Sequence, residues 1–132
     1  MYKRQIVDSI EFSASRIAHH VSAVAIACIT HSGRAAQSLS KFRPDKPIVA
    51  IMDREEALRQ LAFYWGVRGI LIPKIEMTDN IFTEIEVLFK SRNWVTEGDL
   101  IVVTAGIPTL KRGTTNTVKV HRVGVLESRE FL

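Results

Sequence analysis

The stretch Val24-Ala25-Ile26-Ala27-Cys28-Ile29-Thr30-His31-Ser32-Gly33-Arg34-Ala35-Ala36 decides the fold. Its first six residues are apolar without alternation, the pattern of a strand covered on both faces, and Ala35-Ala36-Gln37-Ser38-Leu39 reads as the start of a helix. A strand running through a short turn into a helix is the unit from which parallel sheets with crossover helices are built. The turn also carries chemistry. The hydroxyls of Thr30 and Ser32, the unhindered backbone of Gly33, a helix amino terminus and Arg34 are the parts of a small anion site, with phosphate as the first ligand to test. The competing reading is that Thr30 or Ser32 only caps the helix and Gly33 only makes the turn.

Upstream, Ile6, Ile10, Ala14, Ile17 and Val21 recur at helical spacing, with Phe12 widening the stripe and Asp8, Glu11, Ser15, Arg16 and His19 on other faces. The spacing predicts an amphipathic helix over 4–21 that needs something to pack against. Downstream, a helix over about 33–41 is followed by a proline-bracketed turn and a second apolar strand, Ile48-Val49-Ala50-Ile51-Met52. Asp53 is placed to cap the next helix, which has Glu55 and Glu56 in its first turn and stops by Gly66. Val67 to Ile72 gives a third strand. A helix capped by Thr78 or Asp79 follows, with Ile81, Phe82, Ile85, Leu88 and Phe89 as its apolar stripe and Glu84, Glu86, Lys90 and Arg92 on its solvated side. Leu100-Ile101-Val102-Val103 is a fourth buried strand. Thr117 to Val123 alternates as an antiparallel edge strand, with Lys119, His121 and Arg122 expected to be partly exposed. The expected fold is α/β: a three-layer α/β/α sandwich on a mostly parallel five-stranded sheet with one antiparallel edge strand. Residues 1–132 read as a single domain, with 125–132 as a tail.

Composition narrows the function. The chain has 132 residues, 46% of them hydrophobic, enough for one core. No apolar run reaches the roughly 20 residues of a membrane span, and no signal peptide is legible. The one cysteine, Cys28, sits in a buried strand, which fits a reducing cytoplasm. The formal charge is +4, but the 18 basic residues are interspersed with 14 acidic ones, which argues against a dedicated nucleic-acid arm.

In an open parallel sheet ligands gather beyond the carboxyl ends of the strands, here the loops starting at Thr30, Met52 and Thr104. The connection from Thr104 to Asn116 is far longer than a hairpin requires, and Lys111 and Arg112 at its tip are placed to fold over a phosphate on the first loop. A hairpin with a solvated basic tip is the competing reading. There is no phosphate-loop or dinucleotide glycine motif, no nucleophile elbow and no Cys/His cluster at metal spacing. The adjacent His19 and His20 point in different directions on a helix and are expected to be solvated. His31 beside Ser32 lacks an identifiable orienting acid. No catalytic residue and no metal ligand are expected.

Several segments together resemble the carboxyl-terminal domain of pyruvate kinase. Thr30-His31-Ser32-Gly33-Arg34 matches that family's T-x-S-G-[RK] loop, and Ser40-Lys41-Phe42-Arg43-Pro44 its S-K-[FY]-R-P. Arg59-Gln60-Leu61-Ala62-Phe63-Tyr64-Trp65-Gly66-Val67 is similar to its R-Q-L-x-L-x-W-G-V segment. Gly98-Asp99-Leu100-Ile101-Val102-Val103-Thr104-Ala105-Gly106-Ile107-Pro108, then Gly113-Thr114-Thr115-Asn116-Thr117 and Val118-Lys119-Val120-His121, complete the match in the family's order over roughly 8–124.

The resemblance implies a regulatory, effector-binding and subunit-assembly domain of a glycolytic phosphotransferase. By position, Thr30, His31, Ser32, Gly33 and Arg34 form the phosphate cradle for a sugar-phosphate or nucleotide effector. Thr104, Gly106, Lys111, Arg112 and Gly113 belong to the loop that closes over it. Ala35 stands where fructose-bisphosphate-responsive members often carry a hydroxyl, and Leu110-Lys111-Arg112 adds charge where a small tip is common. The resemblance further implies a homo-oligomer paired through this domain. No cofactor is expected in the chain itself, because magnesium and potassium belong to a catalytic barrel that is not in these residues. An excised piece of a larger enzyme is the expected origin, and a standalone phosphometabolite-binding or dimerisation protein is the alternative.

Overall fold

The computed structural model describes residues 2–72, 80–106 and 115–124. Strands β1 (Ala25–Ile29), β2 (Ile48–Met52), β3 (Val67–Leu71), β4 (Leu100–Ala105) and β5 (Thr117–Arg122) make one sheet in the order β3-β2-β1-β4-β5. The first four are mutually parallel where they pair, and β5 runs antiparallel to β4 at the edge. Helices α1 (Tyr2–His20), α2 (Arg34–Lys41), α3 (Glu55–Gln60, continued by a tight turn over Leu61–Phe63) and α4 (Asn80–Ser91) complete the domain. The expected caps Thr78 and Asp79, the loop residues Lys111, Arg112 and Gly113, and the 125–132 tail lie outside the described residues.

Strands β1 and β2 are buried at every position, as their unbroken apolar runs require. Their alternate residues serve two cores. Ala25, Ala27, Ile29, Val49, Ile51, Ile101 and Val103 pack with Ile81, Ile85 and Phe89 of α4. On the other face, Ile26, Ile48 and Val102 pack with Ala14 and Ala18 of α1 and Leu39 of α2, while Cys28, Ala50 and Met52 meet Val7, Ala35, Ala36, Ala57 and Leu61. Three helices therefore cover one face and α4 the other, the expected three-layer sandwich. Non-glycine residues with positive φ, Ser22 (56°), Arg43 (45°) and Asn93 (59°), follow α1, α2 and α4. The Ala23 and Trp94 amides reach back to the Ala18 and Phe89 carbonyls at 2.9 Å, closing the ends of α1 and α4.

Several side chains sit otherwise than the pattern predicts. The face of α1 turned inward is Val7, Glu11, Ala14 and Ala18, so Glu11 is fully buried while Ile6 and Phe12 stay 45% and 50% exposed. The small Ala14 and Ala18 let α1 approach β1 and β4 closely, and the larger apolar residues are left outside. Asp53 does not cap α3, whose first flanking residue is Arg54 without a side-chain cap. His121 is buried, not exposed, because Glu86 of α4, expected on a solvated side, takes its Nε2 at 2.6 Å and also accepts from the Gly124 amide at 2.9 Å. Phe82 stacks on the same imidazole at 5.4 Å between ring centres.

Candidate functional site at the strand-order reversal

Leaving β1, the chain goes to β2 on one side, while β4 returns to the other side of β1. The sheet's order therefore reverses between β1 and β4, the place where open α/β sheets form a ligand crevice beyond the strands' carboxyl ends. Cys28 and Thr104 are register partners, so the segments beginning at Thr30 and Gly106 leave the sheet side by side. On the other flank Ile29 is opposite Ile51, which puts His31 opposite Asp53 two residues further along.

Thr30 is anchored by its amide on the Ile51 carbonyl at 3.0 Å. Its Oγ1 accepts from the Gly33 amide at 3.1 Å, and Ser32 Oγ accepts from the Arg34 amide at 3.3 Å. Gly33 has φ 86° and flanks α2. The first backbone bond of the helix is Gln37 N–H to the Gly33 carbonyl at 2.9 Å, so the amides of Arg34, Ala35 and Ala36 precede the intrahelical ladder. Both hydroxyls of the turn thus cap their own backbone, and an incoming anion would compete with Ser32 for the Arg34 amide. Ser32 and the Arg34 side chain are exposed, His31 is half-buried and Thr30 is nearly buried. Beneath the turn, a Cβ on Gly33 would stand 3.2 Å from Leu61 Cδ2 and 3.6 Å from Met52 Cε, so the floor is apolar. Gln37 Nε2 donates to Tyr64 Oη at 2.6 Å, tying α2 to the end of the turn after α3.

The orienting acid that sequence reasoning does not find is Asp53, whose Oδ1 lies 2.9 Å from His31 Nδ1. The signal for it is the parallel register, since residues two positions beyond a paired couple face one another across adjacent loops. This pair links the ends of β1 and β2 and leaves Nε2 as the other functional atom of the imidazole. The Ser32 hydroxyl is engaged with the Arg34 amide, and no described contact joins it to His31.

On the β4 side, Thr104 is fully buried and its Oγ1 donates to Glu11 Oε2 at 3.4 Å. The Thr104 side chain therefore faces α1 beneath the sheet's end, and it is Gly106, half-buried, that stands at the crevice. The Asn116 amide closes the loop's exit on the Ala105 carbonyl at 3.0 Å. Ala35 is 2% exposed and belongs to the apolar cluster under α2, so its side chain serves the core. Among the described residues no three His, Cys, Asp or Glu side chains gather to hold a metal ion, and no helix is long and apolar enough to cross a membrane.

The family model for the pyruvate kinase alpha/beta domain matches residues 8–121. The chain belongs to the pyruvate kinase family. It is 36% identical over 124 residues to a pyruvate kinase of Staphylococcus aureus strain bovine RF122 / ET3-1, covering 94% of this chain and 21% of the relative. The same identity and coverage hold for the pyruvate kinase of Staphylococcus haemolyticus. A crystal structure of a Cryptosporidium parvum pyruvate kinase superposes with a TM-score of 0.81 at 27% identity, over 89% of this chain and 23% of that one. A structure of the Cryptosporidium parvum enzyme in complex with ADP gives 0.80, again at 27% identity, over 89% and 24%. This pyruvate kinase α/β domain thus spans about a fifth of the length of its curated relatives.

Proposed function

We propose that this chain is the regulatory domain of a pyruvate kinase, binding a phosphorylated small-molecule effector at the crevice between β1 and β4 and contributing to subunit assembly. The observation that carries the first role is the placement of the Thr30–Arg34 turn at the strand-order reversal. There the three amides at the start of α2 precede the intrahelical ladder beside the exposed Arg34, a setting that favours an anion. Phosphate would displace Ser32 Oγ from the Arg34 amide and pair with the guanidinium. Lys111 and Arg112 would close over it as the family pattern implies, with magnesium and potassium left to a catalytic barrel. The fold's role here is sensing, since His31 and Asp53 form a pair without a poised nucleophile.

Thermal unfolding with fructose 1,6-bisphosphate, glucose 6-phosphate, ribose 5-phosphate and AMP tests this reading. A ligand at a hundred times its dissociation constant adds about 2.7 kcal/mol to stability. The expected result is a raised midpoint with at least one of them, lost in the double variant Ser32→Ala/Arg34→Ala. Equal shifts in the two proteins would remove the turn from the site. The chain alone, given phosphoenolpyruvate, ADP and magnesium, is expected to make no pyruvate.

The assembly role is favoured by the outer face of α1. Ile6 and Phe12 are about half exposed there, Phe12 meets the less exposed Phe42 edge-to-face at 5.3 Å, and Gln5, Ile6, Ser9 and Ile10 line a surface hollow of about 250 Å³. A standalone dimerisation protein of the same fold would show the association without the metabolite response.

A further inference from the structure

We propose that Glu11 is a proton-operated pin between α1 and the end of β4, neutral when the two are packed together and released when it ionises. Glu11 is fully buried in the middle of α1. Its Oε2 accepts from Cys28 Sγ of β1 at 3.3 Å and from Thr104 Oγ1 of β4 at 3.4 Å. Its Oε1 is buried without a hydrogen-bond partner. Oε2 is therefore the acceptor, and the proton of the neutral acid sits on Oε1, where an unpaired O–H is far less costly than an unpaired charge.

No cation faces the carboxyl among the described residues. On α1 itself the next acidic group is Asp8, one turn away and held by Ser38 Oγ of α2 at 2.6 Å. From α2 the buried residues are Ala35, Ala36, Ser38, Leu39 and Ser40, with Arg34 and Lys41 exposed. From β1 the one titratable group is Cys28, whose thiol is pushed well up by burial and then by Glu11 itself. From β4 come Val102 and Thr104. From β5 comes Val118, while Lys119 and His121 lie against Phe82 and Glu86 of α4 on the opposite face. Burial accordingly raises the Glu11 carboxyl from 4.5 to about 7, against the smaller opposing pull of the Thr104 and Cys28 hydrogen bonds.

The consequence joins two surfaces. The helix that carries Glu11 presents the apolar outer face, and the strand that carries Thr104 ends at the crevice. Ionisation leaves a charge with one partnerless oxygen, which is relieved only by water entering or by α1 shifting from β1 and β4. The coupling stands whether or not the crevice takes a phosphate.

A carboxyl raised in the folded state contributes its full stability below its unfolded value and loses it as pH climbs toward the folded one. The wild-type chain and Glu11→Gln are unfolded in urea between pH 5 and 8. The wild-type unfolding equilibrium constant is expected to rise by about 50- to 100-fold more than that of the variant across this range. Parallel profiles would overturn the proposal. Carbon-13 NMR of side-chain-labelled glutamate in the wild type settles the matter even if Glu11→Gln does not fold. A buried carboxyl titrating near 7 is expected, and an ordinary midpoint near 4.5 would sink the idea. Hydrogen exchange reads the mechanical claim. The Thr104 and Ala105 amides should lose protection above pH 7, after correction for intrinsic rates, in the wild type alone, and unchanged protection would mean that the proton does not reach β4.

Discussion

At Gly33 two requirements coincide on one residue: a left-handed backbone with φ 86° and an apolar floor 3.2 Å from where a Cβ would stand. Gly33→Ala is expected to cost about 1–2 kcal/mol from the backbone alone, read as a lower urea midpoint with an unchanged slope. Loss of phosphate-dependent stabilisation should accompany it, since the turn and the first amides of α2 move together. Ser32→Ala removes a single cap and should cost about 0.5–1 kcal/mol without ligand, so the two variants separate backbone shape from side-chain chemistry. At this scale the sequence was only partly legible. The glycine and hydroxyls announce a turn, but Asp53 looks like a helix cap until the register of β1 and β2 sets it against His31. Glu11 looks solvated until the Val7-Glu11-Ala14-Ala18 stripe proves to be the buried one. Its spacing is helical, and small alanines can outcompete isoleucines for an inner face where close approach matters more than side-chain area.

Among the elements, β5 shows how a neighbour overrides a strand's own pattern. Alternation in Thr117–Arg122 points to the valines as the inward residues, yet Val120 is 40% exposed and His121 is buried. The reason is α4, which supplies Glu86 to pair with the imidazole and Phe82 to stack on it. Lys119 lies over the Phe82 ring from the same side. Glu86→Ala is expected to cost about 1–3 kcal/mol, because it leaves a buried imidazole without its hydrogen-bond partner and frees the Gly124 amide. Native-state hydrogen exchange should show β5 losing protection before β1 and β2. Glu86→Gln, which keeps an acceptor, should lose clearly less. Pairing of Glu97 with Lys90 of α4, together with the Gly98 amide on the Val123 carbonyl at 2.9 Å, further fastens α4 and β5 to the loop before β4.

For the whole molecule, the outer face of α1 is the surface to test. Ile6→Glu combined with Phe12→Glu changes half-exposed positions, so the circular dichroism spectrum should be retained, with a stability cost of about 0.5 kcal/mol at Ile6 and about 0.5–1.5 kcal/mol at Phe12, whose contact with Phe42 is lost. Sedimentation velocity is expected to show association of the wild type and a monomer for the double variant. A wild type that is monomeric at all concentrations would end the assembly reading for the isolated domain. The Glu11 variant should leave this face in place while altering its pH response, which separates the surface from the device beneath it.

By itself the sequence determined the class and layout of this domain. Unbroken apolar runs ended by hydroxyls and glycine, and helical stripes between them, specify a doubly covered parallel sheet wherever they occur, because each element's periodicity follows from its own backbone geometry. The ordered motifs from Thr30 to His121 identified the family in the same local way. Only the tertiary structure decided that β4 returns beside β1 and so where the crevice lies. It also paired His31 with Asp53, and buried Glu11 against Cys28 and Thr104 from 17 and 93 residues away. These are contacts between residues distant in sequence, and a residue's neighbours across strands are set by chain topology and close packing, which no local pattern encodes.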